Sequence, residues 1–119
     1  NNSDVVVDIS GYKIYDNGGQ SGSKPKMEFP AKTTIPARGF YVIVVDDKAT
    51  AYPEGSDFGL GSKGDEVWLE TPQGFVIDNM VIPALDLEQS YGSKPDGAAT
   101  RFVLLERTRG ASNNTSPTL

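Results

Sequence analysis

The chain contains neither cysteine nor histidine. Without thiols there is no disulfide framework and no thiolate metal site, and cysteine usage leaves the redox compartment open. Without imidazole, the Ser-His and Cys-His nucleophile pairs and a His-ligated zinc centre cannot be assembled from these residues. A carboxylate pair of the glycosidase kind remains formally available, but it needs a cleft between its members, which a small domain with short loops rarely offers. The sequence therefore reads as non-catalytic, with no cofactor expected.

Long apolar runs are missing too. The longest, Phe40 to Val45, falls far short of the ~20 residues that cross a bilayer as a helix, so no membrane span is expected. Nor does any window of helical length carry a 3.6-residue apolar stripe, because Gly or Pro interrupts nearly every candidate. Basic charge is in deficit: 16 acids against 11 bases give a net charge of −5, which disfavours general attraction to phosphate backbones or anionic membranes. The balance is uneven, since residues 1–89 hold 7 bases and 14 acids while residues 90–119 hold 4 and 2. The basic end keeps the capacity for a local contact.

What is present favours strands and turns. The 119 residues suit one domain. Five Tyr, five Phe and one Trp supply core material, and 13 Gly with 8 Pro supply chain reversals. Runs rich in β-branched and aromatic residues predict strands at Val5–Ile9, Tyr12–Tyr15, Lys26–Phe29, Phe40–Val45, Glu66–Glu70, Phe75–Asp78 and Arg101–Leu105, with Val81 and Ile82 extending the sixth. The Phe40–Val45 run, apolar on both faces, is expected at the centre of the core. In Glu66–Glu70 the alternation sets Val67 and Leu69 on one face and Glu66, Trp68 and Glu70 on a half-exposed face. Thr71-Pro72-Gln73-Gly74 predicts a hairpin turn between this strand and the next. The expected core is Val42, Val44, Val67, Leu69, Ile77 and Phe102. Asp16–Pro25, Asp46–Lys63 and Pro83–Gln89 read as linkers, and 111–119 as a flexible tail or linker beyond a domain spanning 1–110.

Four blocks in order then resemble a known family. Val7-Asp8-Ile9-Ser10-Gly11-Tyr12-Lys13-Ile14 resembles "V-D-L-S-G-W-x-L", and Phe29 to Val42 resembles "F-P-x-G-T-x-I-x-x-G-x-Y-L-V". Phe58-Gly59-Leu60 with Gly64-Asp65-Glu66-Val67-Trp68-Leu69 is similar to "F-x-L-S-x-x-G-D-x-V-x-L", and Ser90-Tyr91-Gly92-Ser93-Lys94-Pro95-Asp96-Gly97 to "S-x-G-R-x-P-D-G". These are patterns of the bacterial lamin-tail domains. The resemblance implies an all-β, immunoglobulin-like β-sandwich of two mainly antiparallel sheets with about seven to nine short strands. It implies a non-catalytic interaction or anchoring module of a larger bacterial protein, extracellular or in the cell envelope. Two departures stand out. Only Asn1 or Asn2 matches the family's opening strand, "W-I-E-L-x-N", so an unpaired sheet edge near Val5–Ile9 is expected, with self-association or a protein partner filling it. The family's Arg is Ser93 here, leaving Lys94 or Arg101 to replace it.

Several residues carry possible chemistry. Ser10-Gly11 and Pro95-Asp96-Gly97 read first as turns. Asp46, Asp47, Glu54, Asp57 and Asp65 could gather oxygen ligands for Ca²⁺, but without an Asp-x-Asp-x-Asp-Gly loop they read as solvated strand caps, and no metal is expected. Trp68, if uncovered, could stack on a sugar or an apolar partner side chain; the competing expectation is that the Pro83–Gln89 loop covers it. The candidate contact residues are Trp68, Tyr91, Lys94 and Arg101. Trp68 with Tyr91 would serve a carbohydrate, and Lys94, Arg101, Arg107 and Arg109 a nucleic acid, in an accessory domain of an extracellular hydrolase.

Overall fold

The computed structural model describes residues 1–16, 26–45 and 59–119. Among the described residues there are eight strands in three antiparallel sheets and no helix. They are β1 (Val7–Asp8), β2 (Lys13–Asp16), β3 (Met27–Glu28), β4 (Thr34–Ile35), β5 (Gly64–Glu70), β6 (Val76–Pro83), β7 (Ser90–Ser93) and β8 (Arg101–Leu104). The central sheet runs β3-β2-β5-β6, and β1-β4 and β7-β8 form two-stranded partners.

Turn chemistry fixes the connections. Ser10 N donates to Asp8 Oδ1 at 2.8 Å, Ser10 Oγ accepts from Thr33 N at 3.1 Å, and Gly11 takes φ +79°. This local bonding turns the chain from β1 into β2 and ties it to β4's approach. At the β5–β6 hairpin, Gly74 N donates to Thr71 O at 3.0 Å and Thr71 N to Phe75 O at 2.8 Å, the reversal that Thr71-Pro72-Gln73-Gly74 encodes. Gly64 opens β5 at φ +114°, where a Cβ would stand 3.0 Å from the Ile82 carbonyl oxygen; only glycine fits without strain.

The expected strands correspond to β1, β2, β3, β5, β6 and β8 with shifted ends, and β6 does extend through Val81 and Ile82. Phe40–Val45 differs. It takes no strand, and the residues that pack on buried Met27 and Phe29 are Tyr41, Ile43 and Val45, joined by Ile9, Tyr12, Ile14 and Leu69. Continuous apolarity marks a buried extended segment but cannot say which side chains face inward. Accordingly Val42 points outward, and the expected core set is corrected: Val42, Ile77 and Phe102 are exposed, and Val44, Val67 and Leu69 are half-buried. The buried apolar side chains are Tyr15, Met27, Phe29 and Leu104.

The other revision concerns 111–119, expected as a flexible tail or linker. Leu105 N donates to Pro117 O at 2.8 Å, Leu119 N to Val103 O at 2.9 Å, and Leu104 bridges Thr118. Ser116 is buried. Asn113 fastens the approach: its Nδ2 donates to Ser93 O at 2.9 Å, its N to Asp96 Oδ1 at 2.8 Å, and its Oδ1 accepts from Thr108 Oγ1. Backbone bonding to β8 replaces the apolar burial that this polar segment lacks.

Leu104, at 1% exposure, generates a prediction. Leu104→Ala should lose about 2–5 kcal/mol in urea unfolding, whereas Val42→Ala should lose under about 1 kcal/mol. Equal losses would mean that Leu104 contributes no more to the core than Val42 does.

Candidate functional site

Trp68 lies mid-strand in β5, directly opposite Tyr15 of β2. The rings stack with centroids 6.1 Å apart and planes 9° from parallel. Tyr15 is thus an aromatic that packs on it. Opposite residues share a face, so Trp68, Tyr15 and Glu70 stand on the side of the central sheet away from Leu69 and Met27. That face is not simply the charged, half-exposed one expected: Tyr15 is fully buried and Glu70 is 6% exposed.

A polar knot explains how a carboxylate tolerates this burial. Tyr15 Oη donates to Glu70 Oε2 at 2.6 Å, and Lys26 Nζ donates to the same oxygen at 2.8 Å while lying 4.5 Å from the Tyr15 ring centroid. The buried charge is thus both paired and hydrogen-bonded, as a buried charge must be. The Lys26 and Tyr15 hydrogen bonds hold the Glu70 carboxyl below its ordinary range. Burial, reinforced by the bond to Glu70, pushes the Tyr15 phenol up to about 12. A β-bulge between Leu69 and Glu70 shifts the β5–β6 register so that Glu70 pairs with Val76.

Tyr91 sits elsewhere. On β7 opposite Val103, it lines an apolar groove of ≈ 400 Å³ with Met80, Ile82, Leu85 and Leu60. Met80 and Ile82 face away from Trp68 by strand alternation, being opposite Val67 and Asp65. Trp68 and Tyr91 therefore lie on opposite faces of the β5–β6 hairpin and cannot grip one sugar together.

Of the four cationic candidates, Lys94, Arg101 and Arg107 are engaged within the chain, and Arg109 lines a hollow beside Phe40. Lys94 Nζ donates to Ser116 O at 2.6 Å, which docks the C-terminal segment. Arg101 Nη2 bonds both Asp78 oxygens at 3.0 Å and its Nη1 donates to Asn79 O at 3.1 Å. Arg107 pairs with Glu88 at 3.3 Å. Among the described residues no group of three or more acidic side chains is placed to hold a metal. Asp46, Asp47, Glu54 and Asp57 lie outside the described residues, and Asp65 Oδ2 and Oδ1 accept from the amides of Gly61 and Glu66.

Sequence reasoning missed Tyr15, Lys26 and Glu70 as a unit. Glu70 was legible only as one more charge on an alternating strand, and a buried acid declares itself only once its partners are known. The pair makes stability depend on pH at both ends. Glu70's contribution is present above the ordinary glutamate range and is lost as pH falls through its lowered folded value. Tyr15's contribution is full below about 10, the unfolded tyrosine value, and is lost as pH rises to about 12. Urea unfolding of Tyr15→Phe should show a loss of about 1–3 kcal/mol near neutrality and a flatter alkaline limb than the parent. An unchanged alkaline limb would remove Tyr15 from this role.

No family model matches the chain, and no curated protein and no solved structure does either.

Proposed function

We propose that the chain is a non-catalytic interaction module, an immunoglobulin-like β-sandwich of the lamin-tail type within a larger, secreted or cell-envelope bacterial protein, and that it docks a protein through the open edge of β6. The four ordered sequence blocks and the all-β antiparallel architecture support the fold. The carrying observation is β6 itself. It closes one side of the central sheet, and among the described residues no strand pairs with its outer edge. Val76, Ile77 and Val81 along it are 46, 56 and 61% exposed, with Phe75 in the preceding turn at 69%. A long apolar edge strand is a template for strand addition, because its free N–H and C=O groups supply affinity and its side chains supply selectivity.

The simplest occupant is a second copy. The chain is acidic, but β6 holds one charge, Asp78, which Arg101 neutralises. Antiparallel pairing about a two-fold axis at Met80 sets Asn79 opposite Val81 and Asp78 opposite Ile82, so no like charges meet. Arg101, resting on the Asn79 carbonyl, partly guards this edge in the single chain and has to swing aside. Near Val5–Ile9, where an unpaired edge was expected, Val7 and Asp8 of β1 pair with Ile35 and Thr34 of β4 on one side, and among the described residues no strand pairs with the other side of β1, which is far shorter than β6.

The rival nucleic-acid reading loses support because Lys94, Arg101 and Arg107 are spent on internal bonds. Sedimentation at rising concentration tests the edge. The parent chain should move from monomer toward dimer, and Val81→Lys, at an exposed site where the fold should shift by no more than about 0.5 kcal/mol, should stay monomeric. A parent that remains monomeric throughout, or a V81K variant that dimerises equally, sinks docking through β6.

A further inference from the structure

Away from β6, three segments far apart in sequence meet around an open cleft of ≈ 540 Å³. Asn2 and Arg38 stand on one side, Asp96, Asn113 and Asn114 on the other, and the Phe40 ring, 45% exposed, lies between. A second hollow of ≈ 580 Å³ shares Phe40, Asp96 and Asn113 with the first, so a groove continues past the ring. The volumes match those of ordinary small-ligand sites.

The lining is unusual for a structural seam. The first hollow is rich in neutral amides, with Asp96 as its acid and Arg38 and the Asn1 amino group as its cations; the amino group donates to Gly39 O at 2.7 Å, and Arg38 is paired to Asp4 at 2.9 Å and to Asn2 Oδ1 at 3.2 Å. Its polar groups are set in advance: Asp96 N donates to Asn114 Oδ1 at 2.7 Å, and Asn113 is held by the three bonds described above. Asp96 Oδ2 and the Nδ2 groups of Asn2 and Asn114 take no partner among the described residues, which leaves one acceptor and two donors at the cleft beside an exposed aromatic face.

From this arrangement we infer that the cleft binds a neutral oligosaccharide. Vicinal hydroxyls donate and accept together, matching a carboxylate oxygen flanked by amide N–H groups. The apolar face of a pyranose ring fits against an aromatic ring, and preset side chains cost little ordering entropy on binding. Hollows on both sides of Phe40 make a chain of sugars the better fit than a single one. Nucleic acid finds fewer uncommitted cations, because Arg38 is engaged with Asp4 and Asn2 and Arg107 with Glu88, although Arg109 also lines the second hollow.

The test is an NMR and calorimetric titration of the chain with neutral gluco-, xylo- and manno-oligosaccharides of four to six units, beside a thymidine oligonucleotide. The side-chain amide signals of Asn2, Asn113 and Asn114 should shift with at least one sugar series. Phe40→Ala should weaken that binding about tenfold, equivalent to about 1.4 kcal/mol, with its melting temperature close to the parent's. V81K should bind the sugar as the parent does, which separates this site from the β6 edge. The proposal is overturned if no sugar moves those amides at millimolar concentration, if only the oligonucleotide does, or if binding survives Phe40→Ala and is lost in Trp68→Ala. Because the amide shifts are read on the parent chain, the test holds even if a variant fails to fold.

Discussion

One oxygen atom holds the middle of this protein together. Glu70 Oε2 receives both the Tyr15 hydroxyl and the Lys26 ammonium, and these three residues belong to β5, to β2 and to the residue just before β3. Backbone ladders alone align strands but leave their side chains free to slide by two residues without changing faces. A charged acceptor sunk in the sheet removes that freedom. With two donors satisfied the arrangement is favourable, and with one removed it leaves an uncompensated buried charge. The Tyr15–Trp68 stack then follows, because the ring that donates to Glu70 is also the ring lying directly across from Trp68.

This same knot divides the surfaces available for function. It occupies the Trp68 face of the central sheet, so the sole tryptophan serves packing before recognition. Two of the surfaces left outward are the β6 edge at one flank and the amide cleft among Asn2, Phe40 and Asn114. They differ in chemistry, one apolar with free backbone groups and the other polar with one ring. A module with two such surfaces can assemble through the first while leaving the second free.

Much of the architecture was legible because turn chemistry is local. Asp8-x-Ser10-Gly11 and Thr71-Pro72-Gln73-Gly74 each need only their own atoms to reverse the chain, and both do so as the sequence implies. Strand identity survived for the same reason, with alternation in Glu66–Glu70 sorting Leu69 to the core correctly. Long-range choices were not legible. Val42 and Tyr41 are equally apolar, and only the position of Phe29, 5.7 Å from the Tyr41 ring centre and edge-on to it, decides which faces in. Thr34–Ile35 is too short a run, and Ser90–Ser93 too poor in β-branched residues, to announce a strand, and both become strands by pairing with β1 and β8. Trp68, Tyr91, Lys94 and Arg101 carried the right chemistry for recognition, yet three of them are consumed by Tyr15, Ser116 and Asp78, partners no spacing rule would nominate.

The docking of residues 117–119 onto β8 sets a schedule for biosynthesis. Polypeptide emerges from the ribosome in order, and a domain generally folds as a unit once its parts are available. Here the β7–β8 hairpin can form early, but the bonds from Leu105 and Leu119 that flank it draw on Pro117 and on Leu119 itself. Lys94 likewise waits for the carbonyl of Ser116. A nascent chain stalled shortly after Arg109 would hold β8 with its outer side unpaired, beside a lysine lacking its acceptor. Residues 110–119 thus act as a clasp, and native closure of this flank follows their emergence from the exit tunnel.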